Sequence, residues 1–398
     1  MQFIKIKKFV TYFINADSDI LAMPSALVLR RLFGNPIYWL APFIPIALFL
    51  QHSSGLASAD VKFGCAALAL IPLSALLAES TEQISDLSGE TVGGLLNATF
   101  GNAPELIIAL VALQAGLFDL VKASIIGVIL ANLLFVLGLS FLVGGLYYKG
   151  QKFNRRGVRV ERSLLMIAAI SIVLPSVFDN FVSPDMYQHE KALNFCVALV
   201  LLVTYGFNLV FMLKTHPHYF VPKKSQGNLD QENSPWPLPI SITVLLATSV
   251  GLAIFSEILV GSVEETAKNL GMSKSFIGLI IIALIGGAPE AVAAVTMARK
   301  NKLDLTLGIA VGSSIQIALF VAPVLMLSSY FIAPKPLNLV VGNAGIMIVL
   351  FPVMIFSMIA ADGKSNWFKG VQLLSVYALI ALFCFFLPDI PSLPLIKP

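Results

Sequence analysis

The chain has 398 residues, of which 57% are hydrophobic and only 12% charged, and its mean hydropathy is +0.87. Soluble globular chains of this length do not reach that balance, whereas bundles of membrane helices do. The three cysteines, Cys65, Cys196 and Cys384, show no paired spacing, which removes a disulfide framework and a zinc site. The formal charge of +4 is spread over many loops, and no basic block suggests a nucleic-acid partner.

A membrane-crossing helix needs about 20 apolar residues, and the sequence offers eleven such stretches. They run approximately over 37–54, 63–85, 91–113, 123–146, 164–181, 193–213, 239–260, 276–297, 305–330, 339–360 and 368–387. Residues 1–36 form a basic tail with Lys5, Lys7, Lys8, Arg30 and Arg31, and lack the apolar core and small-residue cleavage site of a signal peptide. With the N-terminus in the cytoplasm, 19 of the 26 basic residues fall on the cytoplasmic side and 7 on the other. The positive-inside rule therefore predicts a cytoplasmic N-terminus and an odd number of spans.

The most informative feature is an echo. Gly101-Asn102-Ala103-Pro104-Glu105 and Gly286-Gly287-Ala288-Pro289-Glu290 each place a carboxylate just after a Gly/Pro cluster, inside an apolar stretch. At an offset of 185 residues Glu79 falls on Glu264, Gly93 on Gly278, Asp119 on Asp304, Leu120 on Leu305 and Gly127 on Gly312. Spans two to six thus match spans seven to eleven, and span one is an extra. Five is odd, so the second copy enters the membrane upside down, the inverted-repeat plan of secondary transporters. The predicted fold class is an all-α membrane protein with an extra first helix and two inverted five-helix repeats. Its expected division is 1–36 tail, 37–60 first helix, 61–213 first repeat, 214–237 cytoplasmic linker with several prolines, 238–390 second repeat and 391–398 tail.

An acidic side chain at membrane depth costs roughly 2.5–3.5 kcal/mol on insertion scales, so Glu105 and Glu290 are expected to be functional. Pro104 and Pro289 each remove a backbone donor and loosen the helix. With Gly101, Gly286 and Gly287 they turn backbone carbonyls toward the carboxylates. The donor set is all oxygen, which suits a hard cation such as calcium and disfavours zinc or copper. Asn102 and Gln316 can add amide oxygens. Two neighbouring carboxylates in low dielectric do not both stay ionised at ease, so protons and a divalent cation compete for the same oxygens, and that competition is coupling.

Other polar residues leave alternatives open. Glu79, Glu82 and Glu257 lie near helix ends and are either a proton path or side chains that reach water. Glu264 and Glu265 are expected in an external loop, and Asp119 and Asp304 as caps of the helices that follow them. Asn132 is either interhelical glue or an ion ligand.

The stretch from Glu90 through Thr-Val-Gly-Gly-Leu-Leu-Asn-Ala-Thr-Phe-Gly to Asn102, running on into Pro104-Glu-Leu-Ile-Ile108, resembles the calcium/proton (cation/proton) exchanger family of the calcium/cation antiporter superfamily. Asn301-Lys-Leu-Asp-Leu305 and Gly312-Ser-Ser-Ile-Gln316 extend the likeness, which covers about 79–323 in sequence. The resemblance implies eleven spans and calcium export against protons, with Glu105 and Glu290 as ligands and Asn102 and Gln316 in their coordinating surroundings. The family's second motif reads Gly-Asn-Ala-Ala-Glu-His, whereas this chain has Gly287 for the asparagine and Ala291 for the histidine. Its Gly-Ala-Pro-Glu resembles the motif of sodium-coupled relatives.

The expected function is a secondary active antiporter in the bacterial plasma (inner) membrane, with calcium and protons as substrates, the lipid bilayer as partner, no cofactor and no enzymatic role. The rivals are a sodium-coupled exchanger and, in a different class, a gated cation channel with the glutamates as its constriction. Neither Gly-x-Ser-x-Gly nor His-Glu-x-x-His occurs, which leaves an intramembrane hydrolase without its machinery. A homo-oligomer is left open by the sequence.

Overall fold

The computed structural model describes residues 36–53, 57–179, 187–217 and 236–386. The expected tails at 1–35 and 391–398 and most of the linker lie outside the described residues. In chain order the helices are α1 (Phe43–His52), α2 (Ala59–Ser88), α3 (Glu90–Phe100), α4 (Ala103–Gln114), α5 (Phe118–Tyr147), α6 (Arg155–Asp179) and α7 (Tyr187–Val210). After the linker come α8 (Leu238–Leu270), α9 (Lys274–Gly286), α10 (Ala288–Arg299), α11 (Leu303–Ile332), α12 (Gly342–Ile359) and α13 (Trp367–Phe386). Among the described residues eight helices are long and apolar enough to cross a membrane. The bent pair α9–α10, angled at 57°, makes a ninth, and 36–52 and 344–359 are shorter apolar helices.

The offset of 185 residues recurs in the backbone. α4 and α10 begin and end at matched positions, as do the starts of α5 and α11. The turns before α5 and α11 carry left-handed residues at the same register, Gly116 (φ 75°) and Asn301 (φ 59°). π-helical turns interrupt α5 at Ala131–Val136 and α11 at Ile317–Val321. Such turns widen the helix and are frequent at functional sites.

Each half breaks where the Gly/Pro clusters stand: α3 stops at Phe100 before α4, and α9 at Gly286 before α10. A proline has no N–H to give to the carbonyl four residues back, so the ladder is interrupted there. α2 lies along α8, and α13 crosses the second half of α5. That second crossing is close because a Cβ on Gly370 would come 2.6 Å from Gly138 O, the small-residue packing by which apolar helices approach. The centre of the bundle is α5 and α11, whose Leu130, Leu133, Leu134, Ala310 and Leu319 are fully covered.

Two expectations need correction. Glu264 and Glu265 lie in the last two turns of α8, not in a loop; the helix runs ten residues past the expected end at 260 and stops at left-handed Gly271. Asp119 and Asp304 sit inside the first turns of α5 and α11 and cap neither, since no side-chain cap bond is made there. Asp304 instead accepts the Asn154 backbone N–H at 2.6 Å. The fold also contains one small antiparallel ladder, β1 (Gln151–Lys152) with β2 (Lys364–Ser365), joining two interhelical loops.

Candidate functional site

Glu105 projects from the first turn of α4 and Glu290 from the first turn of α10, because Pro104 and Pro289 occupy the initial positions where a proline's missing donor costs nothing. Helix N-termini carry partial positive charge, which favours carboxylates in these turns. Glu105 is 7% exposed. Neither of its oxygens has a hydrogen-bond partner, and Oε2 of Glu290 is likewise buried without one. The Glu105 carboxylate reaches across to the break in the other half: a Cβ added to Gly286 would lie 3.2 Å from Glu105 Oε1. The two carboxylates are within electrostatic reach of each other. Buried charged groups ordinarily carry partners, so three unpartnered carboxylate oxygens single out this place as the candidate site.

Beside them runs a chain of amides and a hydroxyl. Asn132 Nδ2 donates to Ser313 Oγ at 3.1 Å, Ser313 Oγ donates to Asn102 Oδ1 at 2.7 Å, and Asn102 Nδ2 donates to Gln316 Oε1. This chain links the helix break after α3 to the π-turn regions of α5 and α11. One acceptor is left over, the buried Oδ1 of Asn132. It faces Gly287, where a Cβ would stand 3.9 Å away. The structure therefore gathers Glu105, Glu290, Asn102 and Gln316 around the two breaks, with Gly101, Pro104, Gly286, Gly287 and Pro289 forming the breaks themselves. Ser313, which sequence reasoning left unassigned, joins two amides from different helices. Its place in Gly312-Ser-Ser-Ile-Gln316, three residues before Gln316, was the available signal.

The candidate proton-path residues lie elsewhere. Glu79 on α2 accepts a hydrogen bond from Tyr38 Oη at 2.7 Å, which ties the chain before α1 to α2. Glu82 and Glu257 are exposed on the outer faces of α2 and α8. A buried carboxylate that the sequence gave no reason to single out, Glu161 on α6, faces Asp304 at the start of α11. It was hidden in a run of arginines that reads as a solvated loop.

A small cavity opens beside Glu105, lined by Ser124, Ile125, Val128, Ile282 and Ile317. It is almost entirely apolar and lies between Glu105 and the seam where α5 meets α9. Among the described residues no group of three His, Cys, Asp or Glu side chains comes together as a metal cluster. The polar atoms gathered at the breaks are instead carboxylate, amide and hydroxyl groups, whose oxygens are the kind a hard cation takes.

This fold and site define a class: a membrane protein of two register-matched helical halves, with hard oxygen donors at paired helix breaks. Residues 61–214 and 240–386 match the sodium/calcium exchanger protein family, and the chain belongs to that family. It is 41% identical over 375 residues to the Ca(2+)/H(+) antiporter of Aphanothece halophytica, covering 90% of this chain and 99% of that protein. It is 40% identical to the Ca(2+)/H(+) antiporter ChaA of Bacillus subtilis, covering 82% of this chain and 92% of the relative. Among solved structures native YfkE superposes with a TM-score of 0.75 at 35% identity, covering 88% of this chain and 100% of that one. The H+/Ca2+ exchanger CAX shares the fold, with a TM-score of 0.66 at 15% identity over 87% of each chain.

Proposed function

We propose that this chain is a secondary active antiporter that moves calcium, or a similar divalent cation, out of the cytoplasm in exchange for protons. Access to the site alternates between the two membrane faces, and Glu105 and Glu290 carry the cargo. The observation that carries this reading is the set of unpartnered buried oxygens at the two helix breaks: both oxygens of Glu105, one of Glu290 and Oδ1 of Asn132. The relatives named Ca(2+)/H(+) antiporter support calcium and protons as the exchanged ions. The distribution of basic residues and the bacterial relatives support a bacterial plasma membrane with the N-terminus in the cytoplasm. We place the first repeat at 61–213 and the second at 238–390.

In the cation-free site the two carboxylates share a poorly solvated space, and holding protons relieves their mutual repulsion. A divalent cation entering between them neutralises the same charge and displaces those protons. Asn132 Oδ1 adds an amide oxygen, while Ser313 holds Asn102 and Asn132 in register. Two protons per divalent ion leave the cycle electroneutral. A third would make it respond to voltage by about 2.3 kcal/mol per charge per 100 mV. Gly287 and Ala291, in place of an asparagine and a histidine, favour keeping sodium coupling as the second reading.

The test is calcium uptake into inside-out vesicles under an imposed proton gradient without sodium. Uptake that follows the gradient and disappears in Glu105→Gln and Glu290→Gln is expected. Uptake that requires an opposing sodium gradient moves the assignment to sodium coupling. Downhill calcium flux with no counter-ion dependence makes the chain a channel.

A further inference from the structure

The loops at one end of the bundle hold positive charges close together without anionic partners. Six basic residues, Lys149, Lys152, Arg155, Arg156, Arg159 and Arg162, fall within 149–162, and all but the half-buried Arg162 are exposed. Arg155, Arg159 and Arg162 recur at intervals of four and three along the start of α6, so they share one helix face, where like charges repel. The first turn of α6 is also the positive end of the helix dipole, which disfavours cations, and it contains no acidic residue.

The small ladder adds a second repulsive juxtaposition. In its register Gln151 stands opposite Ser365 and Lys152 opposite Lys364. Directly opposed residues point to the same side of a ladder with Cβ atoms about 4.5–5.5 Å apart, and like charges so placed are destabilising. Gln151 and Ser365 are buried, whereas Lys152 and Lys364 are both exposed. The buried side fixes the ladder in place, since Gln151 Nε2 donates to Ala298 O at 2.8 Å and to Asn301 Oδ1 at 3.0 Å, at the end of α10. Arg155 joins the lysines: a Cβ on Gly363, next to Lys364, would lie 2.3 Å from Arg155 Cγ. Among the described residues none of Lys152, Arg155, Arg159 and Lys364 makes an ion pair, and Asp362, two residues before Lys364, is engaged by Lys369.

Aromatic side chains flank this cluster. Tyr147 and Tyr148 precede β1, Trp367 and Phe368 follow β2, and the four are 60%, 37%, 49% and 54% exposed. The two stretches touch, because a Cβ on Gly145 would lie 2.1 Å from Trp367 N. Exposed Trp and Tyr at the ends of apolar spans are the side chains that sit at headgroup level in a bilayer.

We propose that Lys152, Lys364, Arg155 and Arg159 form a binding site for the phosphate headgroup of an anionic phospholipid, with Trp367 beside the lipid. Basic clusters next to membrane helices attract anionic headgroups. A phosphate between Lys152 and Lys364 turns a repulsive cross-strand pair into a bridged one, and the arginine forks match phosphate oxygens. The headgroup thereby ties the α5–α6 loop of the first half to the α12–α13 loop of the second. Its placement in the cytoplasmic leaflet rests on the orientation proposed above; the binding itself does not depend on transport.

The test places the full chain in phosphatidylcholine liposomes with increasing fractions of phosphatidylglycerol carrying brominated chains, which quench nearby tryptophan fluorescence. The quenching due to Trp367 is the difference from Trp367→Phe. Lys152→Gln combined with Lys364→Gln is expected to weaken the apparent affinity for the brominated lipid by about 30-fold, equivalent to about 1 kcal/mol for each lysine. Lys152→Arg with Lys364→Arg is expected to keep it. Lys268→Gln with Lys335→Gln, which removes as much charge from the opposite end of the bundle, is expected to keep it as well. In phosphatidylcholine alone the Lys152/Lys364 glutamine variant is expected to unfold at or above the wild-type temperature, because an opposed like-charged pair is gone; this separates lost lipid affinity from lost fold.

Equal quenching in the wild type and the Lys152/Lys364 glutamine variant overturns the proposal, as does equal quenching of the wild type by brominated phosphatidylcholine and brominated phosphatidylglycerol. If millimolar inorganic pyrophosphate displaces the brominated lipid, the cluster takes a soluble phosphate and the lipid assignment falls.

Discussion

Replacing Glu105 by glutamine keeps the shape of the side chain and removes one charge from a site where both of its oxygens lack protein partners. At an effective dielectric constant of about 20, two unit charges about 4 Å apart interact by about 4 kcal/mol, and a divalent ion doubles that figure. Allowing half of it for the cation's lost hydration leaves a deficit of about 4 kcal/mol, or about 10³-fold in affinity. Calcium supplied at a hundred times the wild-type dissociation constant stabilises the wild-type protein by about 2.7 kcal/mol. The same concentration is a tenth of the variant's dissociation constant and stabilises it by less than about 0.1 kcal/mol. Thermal unfolding of the purified protein with and without calcium reads this directly: the wild type shifts upward and Glu105→Gln does not. Without calcium the glutamine variant is expected to melt at or above the wild type, because an uncompensated buried carboxylate has been removed. A calcium-induced shift as large in Glu105→Gln as in the wild type refutes the assignment of Glu105 as a ligand, whatever the flux assays give.

Other perturbations follow from individual contacts. Ser313→Ala breaks two hydrogen bonds, to Asn102 and from Asn132, and is expected to weaken calcium binding by about 30-fold with the fold intact, at about 1 kcal/mol per bond; isothermal titration measures it, and unchanged affinity would remove Ser313 from the site. Gly127→Ala places a methyl 2.2 Å from the Leu279 carbonyl oxygen and is expected to destabilise the protein by at least the roughly 1–3 kcal/mol of an overpacked core, whereas Gly261→Ala, which meets nothing within 4 Å, is expected to be neutral by thermal unfolding. The loop before α13 carries a pH-sensitive contact. Slight burial raises the Asp362 carboxyl, but hydrogen bonds from Lys369 Nζ and the Lys364 N–H outweigh it and hold the group below its ordinary value. Its contribution is therefore present above the usual aspartate range and lost as pH falls through the lowered value. Amide exchange at Lys364 is expected to accelerate under those acidic conditions in the wild type, and to be fast and pH-independent once intrinsic exchange is corrected for in Asp362→Asn.

The helix breaks were legible in the sequence because proline and glycine act locally: Pro104 and Pro289 lack the donor wherever the chain goes. The spacing of 185 residues likewise carried over, because matched sequences impose matched turns, as Gly116 and Asn301 show in adopting the same left-handed backbone. Caps and helix ends were less legible. Asp304 in a first turn reads as a cap until another loop brings the Asn154 N–H within 2.6 Å of it. Glu161 was invisible because the carboxylate it faces, Asp304, lies more than a hundred residues away along the chain.

What the sequence by itself determined is therefore the class: apolar spans, a duplicated plan and two carboxylates at Pro-induced breaks, all consequences of residue chemistry that act within a few positions. What only the tertiary structure decided is which oxygens remain unpartnered and how the two copies differ. Val92 and Ile277 hold matching places in the two halves. Yet α3 meets Tyr205 of α7 and Leu213 just beyond it, while α9 lies against α5 through Gly127 and Gly278, because contacts between helices far apart in the sequence, which no local pattern encodes, decide the packing.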